Sequence, residues 1–219
     1  MTYPPAPWSL KGYAFLTLHL VDSSRGRPFV PKELELVELL SGKTLGSVYL
    51  SAYQSGSILA YNELIVAPAY VRYQGKMGAW ISHIYVDNPA SVAGGREIWG
   101  LPKELAHFAW DKHGVIITQK ERELCSFSYQ KGLFSLTTWW KQQLKGYSFS
   151  DLGEELLYFT SNFTSPLGLK KGKLTIPADS PFVNLNLGKP ILTLNLPQLH
   201  LVAGAPEVVG TLGGRLARA

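Results

Sequence analysis

A lysine is a nucleophile only as the neutral amine, so a reactive lysine needs surroundings that disfavour its charge. The run Gly94-Gly95-Arg96-Glu97-Ile98-Trp99-Gly100-Leu101-Pro102-Lys103-Glu104 offers such surroundings. Trp99, Leu101 and Pro102 are apolar and rigid enough to wall off the Lys103 ammonium. The amine they leave suits Schiff-base chemistry with a ketone or aldehyde. A lysine that follows a proline in a turn is ordinarily solvated. On residue types alone, both readings of Lys103 stand.

Other signals of chemistry are missing. The chain has no Gly-x-x-x-x-Gly-Lys-Ser/Thr phosphate loop, no Gly-x-Gly-x-x-Gly after a strand and no Gly-x-Ser-x-Gly elbow. The five histidines, at 19, 83, 107, 113 and 200, show no i,i+4 pair and no ligand spacing with the single cysteine, Cys125. No metal or organic cofactor is expected. A net charge of +5 permits attraction to anions. The basic residues are scattered, however, and Lys170-Lys171-Gly172-Lys173 is the one local cluster, so neither nucleic acid nor a membrane is expected as partner. One cysteine argues for a reducing compartment. With no signal-like N-terminus and no apolar run of about 20 residues, the expectation is a cytoplasmic chain.

The residues around Lys103 must be positioned by strands. Stretches 13–21, 46–53, 61–71, 78–86, 107–110, 114–119, 123–130 and 133–138 are rich in β-formers and divided by Gly, Ser and Lys-Gly punctuation. Further candidates lie at 156–160, 173–176 and 191–202. Leu34, Leu36, Val37, Leu39 and Leu40 after Pro31 predict a short helix over 32–40. Asp87-Asn88-Pro89 predicts a turn that opens a second helix over 90–99. The fold class is mostly β (α+β), one domain over 1–219, a closed or nearly closed antiparallel barrel with a few short helices. Residues 210–219 read as a loosely held tail.

Residues 81–105 resemble the signature of the acetoacetate decarboxylase family: a Tyr-x-Asp strand end, Gly95-Arg96-Glu97, and Pro102-Lys103 at the family's separation. The resemblance implies a β-barrel or cone of the acetoacetate decarboxylase type, with Lys103 at the Schiff-base position. Tyr61-Asn62-Glu63 is similar to the family's Tyr-x-Glu, which makes Glu63 the implied acid/base. Arg96 and Glu97 are implied to form an ion pair that supports the lysine loop. Lys11 stands near the position of a family arginine suited to a substrate carboxylate. Lys11, Arg96, Trp99 and Glu104 are therefore the implied substrate-binding residues.

This chain also departs from the family. Glu104 replaces a second lysine, and a facing anion would favour the ammonium of Lys103. The region of the family's other glutamate falls near Val48-Tyr49, where nothing is acidic. The implied function is imine chemistry on a small oxo acid: decarboxylation of a β-keto acid, or related aldol or dehydration chemistry, in a homo-oligomer. The alternative is non-catalytic binding of a small apolar or carboxylate ligand in the same pocket.

Overall fold

The computed structural model describes residues 2–130, 138 and 140–213, and its backbone is mostly strand. One large sheet runs, neighbour by neighbour, through Lys103–Leu105, His83–Val86, Tyr61–Ala67, Lys43–Tyr53 and Trp8–Asp22. It continues through Leu192–Ala203, Glu155–Ser165, Gln142–Leu152, Lys76–Trp80, Ala69–Tyr73 and Glu35–Leu36. A smaller sheet orders His107–Trp110, Gly114–Gln119, Arg122–Gln130 and Lys171–Thr175.

The central strand Trp8–Asp22 shows why one sheet serves two cores. Side chains alternate across a strand. Trp8, Leu10 and Ala14 enter one apolar cluster with Tyr49, Tyr53, Tyr61 and Trp99. Phe15 and Val21 enter another with Phe127, Ile117 and Phe182. Phe15 joins the two sheets, its ring 5.1 Å from Phe127 and 4.7 Å from Tyr129. A third cluster forms around Val71, Trp80, Phe149 and Leu156.

The helix Pro89–Trp99 is made by local chemistry. Asn88 caps it, its side chain accepting from the Ala90 and Ser91 amides. Pro89 occupies the first turn, where a missing N–H is harmless. Gly100, at φ 60°, ends it, with its amide returned to the Gly95 and Arg96 carbonyls. A side chain at Gly100 would collide with the Asp151 carbonyl, its Cβ 2.2 Å from the oxygen.

Several expectations need correction. Residues 32–40 are not a helix: Glu35–Leu36 and Glu38–Leu40 are short strands pairing with Ala69–Tyr73 and Lys43–Tyr53. Leu34 is fully buried while Leu39 and Leu40 are more than half exposed, so the leucines do not share the one face a helix requires. Strand 61–71 is split at Pro68, which has no amide for the ladder. Gln142–Leu152 escaped the pattern reading because its polar, partly exposed side chains carry little apolar signal. The barrel is not closed: the large sheet's end strands, Glu35–Leu36 and Lys103–Leu105, do not pair with each other. Nor is it wholly antiparallel, since His83–Val86 pairs parallel with Lys103–Leu105 and Lys76–Trp80 with Gln142–Leu152. Gly210 and Thr211, expected in a tail, belong to the strand Glu207–Thr211. Residues 133–137 of one expected strand and 214–219 of the tail lie outside the described residues. Among the described residues no helix is long and apolar enough to cross a membrane.

Two histidines are packing residues. His19 is fully buried, with Nδ1 2.9 Å from the Leu187 carbonyl and Nε2 2.9 Å from Thr17 Oγ1. His83 packs between Phe29 and Phe182, both ring centroids 5.6 Å away. Burial pushes the His83 pKa down to about 4 from an ordinary 6.5. The unfolded chain therefore takes up a proton at this position well before the folded chain does. Its contribution to stability is complete above pH ~6.5 and is lost as the pH falls towards 4, by about 3 kcal/mol. Urea unfolding at pH 7, 5.5 and 4.5 should show that decline, and His83→Gln should flatten part of it.

Candidate active site

The sequence brings two charged groups into one apolar enclosure. Lys103 enters the short strand that pairs parallel with His83–Val86, opposite Ile84. Glu63 lies on the next strand, Tyr61–Ala67, opposite Val86. Lys103 is 3% exposed and Glu63 4%, and Lys103 Nζ donates to Glu63 Oε1 at 2.8 Å. It also donates to Ser91 Oγ at 3.0 Å, from the first turns of the capped helix. The Tyr61 and Trp8 rings face the ammonium, their centroids 5.0 and 5.6 Å away.

The second carboxylate oxygen is also held. Tyr53 OH donates to Glu63 Oε2 at 3.1 Å, and the Tyr49 and Tyr53 hydroxyls are 3.2 Å apart. Tyr49, Ser51 and Tyr53 alternate along Lys43–Tyr53 and so share a face, with Ser51 directly opposite Glu63 and Tyr53 opposite Tyr61. Burial, reinforced by the Glu63 carboxylate, raises the pKa values of Tyr49, Tyr53 and Tyr61, so all three phenols stay protonated. The enclosure therefore holds one ion pair and a set of neutral hydroxyls. A buried pair is weak evidence for stability, but losing one partner strands the other charge, at about 3–5 kcal/mol.

Close packing sets the position of the lysine stem. Gly95 lies against it, and a Cβ there would stand 2.4 Å from Lys103 Cδ and 2.6 Å from Cε. A Cβ on Gly94 would stand 2.6 Å from the Trp8 ring. The glycine pair thus lets the helix approach both the lysine and its aromatic cover.

The residues expected around the substrate are placed differently from one another. Arg96 does not pair with Glu97, because adjacent helical side chains diverge. Its Nε donates to the Lys103 carbonyl at 2.8 Å, tying helix to strand, while Glu97 accepts from Tyr3 OH. Trp99 is buried in the cluster, edge-on to Trp8 with centroids 4.8 Å apart, and donates to the Gly204 carbonyl at 2.8 Å. Glu104 does not share the enclosure. It is exposed, and accepts from Gln119 Nε2 at 2.6 Å. Strand alternation sends it to the far face, where its charge, second to burial, helps push Tyr85 up to about 12. That face holds a groove of about 1260 Å³ between His83, Tyr85, Glu104 and Arg122, which Lys103 and Glu63 do not line. Lys11 is exposed, on the opposite face of its strand from the buried Leu10 and outside the enclosure. Ser91, Ser51, Tyr49, Tyr53 and Trp8 were not singled out by sequence reasoning. The alternation of Tyr49, Ser51 and Tyr53 before Tyr61 and Glu63 was a period-two signal that could have found the strand-borne ones. Among the described residues no cluster of three or more His, Cys, Asp or Glu could hold a metal ion.

A mostly-β fold with a buried lysine–carboxylate pair at the first residue of a short parallel-paired strand is the arrangement that the resemblance to the acetoacetate decarboxylase family implies. The family model "Acetoacetate decarboxylase (ADC)" matches residues 1–136, and the chain belongs to that family. It is 35% identical over 132 residues to Protein NEOXANTHIN-DEFICIENT 1 of Solanum lycopersicum, covering 60% of this chain and 44% of that one. It is 34% identical over 106 residues to the acetoacetate decarboxylase of Ralstonia nicotianae, covering 48% and 40%. The matched stretches thus span less than half the length of these relatives. In structure it is similar to acetoacetate decarboxylase from Legionella pneumophila, with TM-score 0.75 and 18% identity over 96% of this chain and 90% of that one. The enduracididine biosynthesis enzyme MppR complexed with pyruvate follows at TM-score 0.68 and 14% identity, covering 96% and 92%.

Gly95→Ala tests the packing of the lysine. The added methyl must displace a buried, doubly hydrogen-bonded side chain, so urea unfolding should show a loss of about 1–3 kcal/mol.

Proposed function

We propose that Lys103 forms an imine with a small ketone or aldehyde, the oxo acids among them, and that the imine serves as an electron sink. The observation that carries this reading is the 2.8 Å contact between an almost fully buried Lys103 Nζ and Glu63 Oε1. Attack requires the free amine, and Glu63 is the adjacent acceptor for its proton. The amine then adds to the carbonyl carbon. One N–H proton of the adduct passes to the former carbonyl oxygen, which takes up the proton held on Glu63 as well and leaves as water, giving the iminium and restoring the carboxylate.

From that iminium two routes are open. With a β-keto acid, the C–C bond to the carboxylate breaks, its electron pair passes to nitrogen, and carbon dioxide leaves an enamine. One proton from solvent, delivered through Glu63, then goes to carbon, and water hydrolyses the iminium to release the ketone. In aldol or dehydration chemistry, Glu63 instead removes or returns the proton beside the iminium carbon. The structural relative MppR is complexed with pyruvate, which supports a carbonyl ligand in a fold of this type. Lys103 is 3% exposed, so substrate reaches it only when its aromatic cover moves.

A second reading is supported by the cluster of Trp8, Tyr49, Tyr53, Tyr61 and Trp99 around the lysine: binding of a small apolar ligand without turnover. Borohydride trapping separates the two. Incubation with acetoacetate, pyruvate or a neutral ketone, followed by borohydride and mass spectrometry, should show a reduced adduct on Lys103. Lys103→Ala should abolish it, and Glu63→Gln should lower its rate by about 10²-fold or more. Binding with no adduct from any carbonyl, unchanged in Lys103→Ala, would leave the non-catalytic reading in place.

A further inference from the structure

The groove on the far face of the sheet collects polar groups that the lysine chemistry does not use. Tyr85 and Glu104 stand directly opposite each other in the parallel strand pair, so their side chains leave the sheet on the same side. Tyr85 is 3% exposed and lines the groove of about 1260 Å³, and its hydroxyl makes no hydrogen bond within the protein. Burial keeps the proton on that hydroxyl, which makes it an open donor. A buried tyrosine ring normally has its hydroxyl partnered, so one that faces a cavity is met there by water or by a ligand atom.

Two opposite charges flank this donor, and both act on it: Glu104 raises the Tyr85 pKa and Arg122 lowers it. Gln119 holds the two charges apart. Its amide donates to Glu104 Oε2 at 2.6 Å and accepts from Arg122 at 3.4 Å. Among the described residues neither Glu104 nor Arg122 has an ion-pair partner. The other oxygen of Glu104 accepts no hydrogen bond, and Arg122 makes one further bond, to the Asp179 carbonyl at 3.4 Å. Most of the guanidinium's N–H donors are therefore open to the groove.

Charge complementarity selects the ligand. A lone anion held by Arg122 and Tyr85 would lie beside the Glu104 carboxylate, and a lone cation on Glu104 would lie beside Arg122. A molecule with both charges meets an opposite charge at each end. Gln119 shows the span, since one amide with a donor on one side and an acceptor on the other reaches both groups. An ammonium and a carboxylate joined through one carbon repeat that reach with full charges. Beside the charges the wall is apolar. Pro102 lies two residues before Glu104, Phe29 packs on the His83 ring at 5.6 Å, and Pro181 lies two residues after Asp179.

We propose that Tyr85, Glu104 and Arg122 form a binding site for an α-amino acid with an apolar side chain. The ammonium sits on Glu104, the carboxylate on Arg122 and the Tyr85 hydroxyl, and the side chain along Phe29, Pro102 and Pro181. The site lies across the sheet from Lys103 and stands whether or not that lysine forms an imine.

Leucine is the probe, titrated by calorimetry into the full chain. It is compared with 4-methylpentanoate, which lacks the ammonium, and 3-methylbutylamine, which lacks the carboxylate. Leucine should bind at least about tenfold more tightly than either. Glu104→Gln should remove its advantage over 4-methylpentanoate, and Arg122→Gln its advantage over the amine. Tyr85→Phe, which keeps the ring, should weaken leucine and 4-methylpentanoate alike, by about fivefold. Leucine binding no better than its two analogues, a ranking unchanged by the Glu104 and Arg122 variants, or no binding at millimolar leucine overturns the site. Self-association of the chain that the same two variants disrupt also overturns it, because a second copy then covers the groove.

Discussion

Placing an ammonium and a carboxylate together inside an apolar enclosure is the constraint on which the rest of this structure depends. Each charge would be intolerable there alone, and the 2.8 Å contact between Lys103 and Glu63 answers only part of the difficulty. The remaining donors and acceptors must be met as well. Ser91 accepts from the lysine, Tyr53 donates to the carboxylate, Tyr49 leans on Tyr53, and two rings face the ammonium. The helix is drawn close by glycines so that Ser91 can reach, and Arg96 fastens the lysine strand from behind.

The thinness of a sheet keeps opposing functions apart. Lys103 and Glu104 are neighbours in the chain, yet alternation sends one inward to Glu63 and the other outward to Gln119. An anion beside the lysine in sequence is therefore not an anion beside its amine. The same alternation puts Leu10 in the enclosure and Lys11 outside it, and divides the long first strand between two cores. The groove on the far face, with Glu104 and Arg122 on its wall, is separated from the lysine by this one layer.

Local chemistry was legible wherever a residue type has one strong backbone meaning. Asp87-Asn88-Pro89 announced the start of the helix Pro89–Trp99. Strand stretches such as Gly114–Gln119 stood out by their β-branched residues. The reading failed where tertiary context overrode pattern. Leucines between 34 and 40 suggested a helical stripe, but their backbone pairs with two different strands and half of them face solvent. Gln142–Leu152, polar along much of its length, is held as a strand by its partners on both sides.

By itself the sequence determined the family and the mostly-β class and singled out the lysine and glutamate that the fold pairs, because Gly95-Arg96-Glu97, Pro102-Lys103 and Tyr61-Asn62-Glu63 are short motifs whose spacing needs no third dimension. Only the tertiary structure decided which neighbours share the enclosure. Ser91, Tyr53 and Ser51 come to the pair from a helix and from a strand paired across the sheet, and Glu104 and Lys11 are removed from it by the side of the sheet they face. Contact across strands depends on register, and register is a property of the folded sheet.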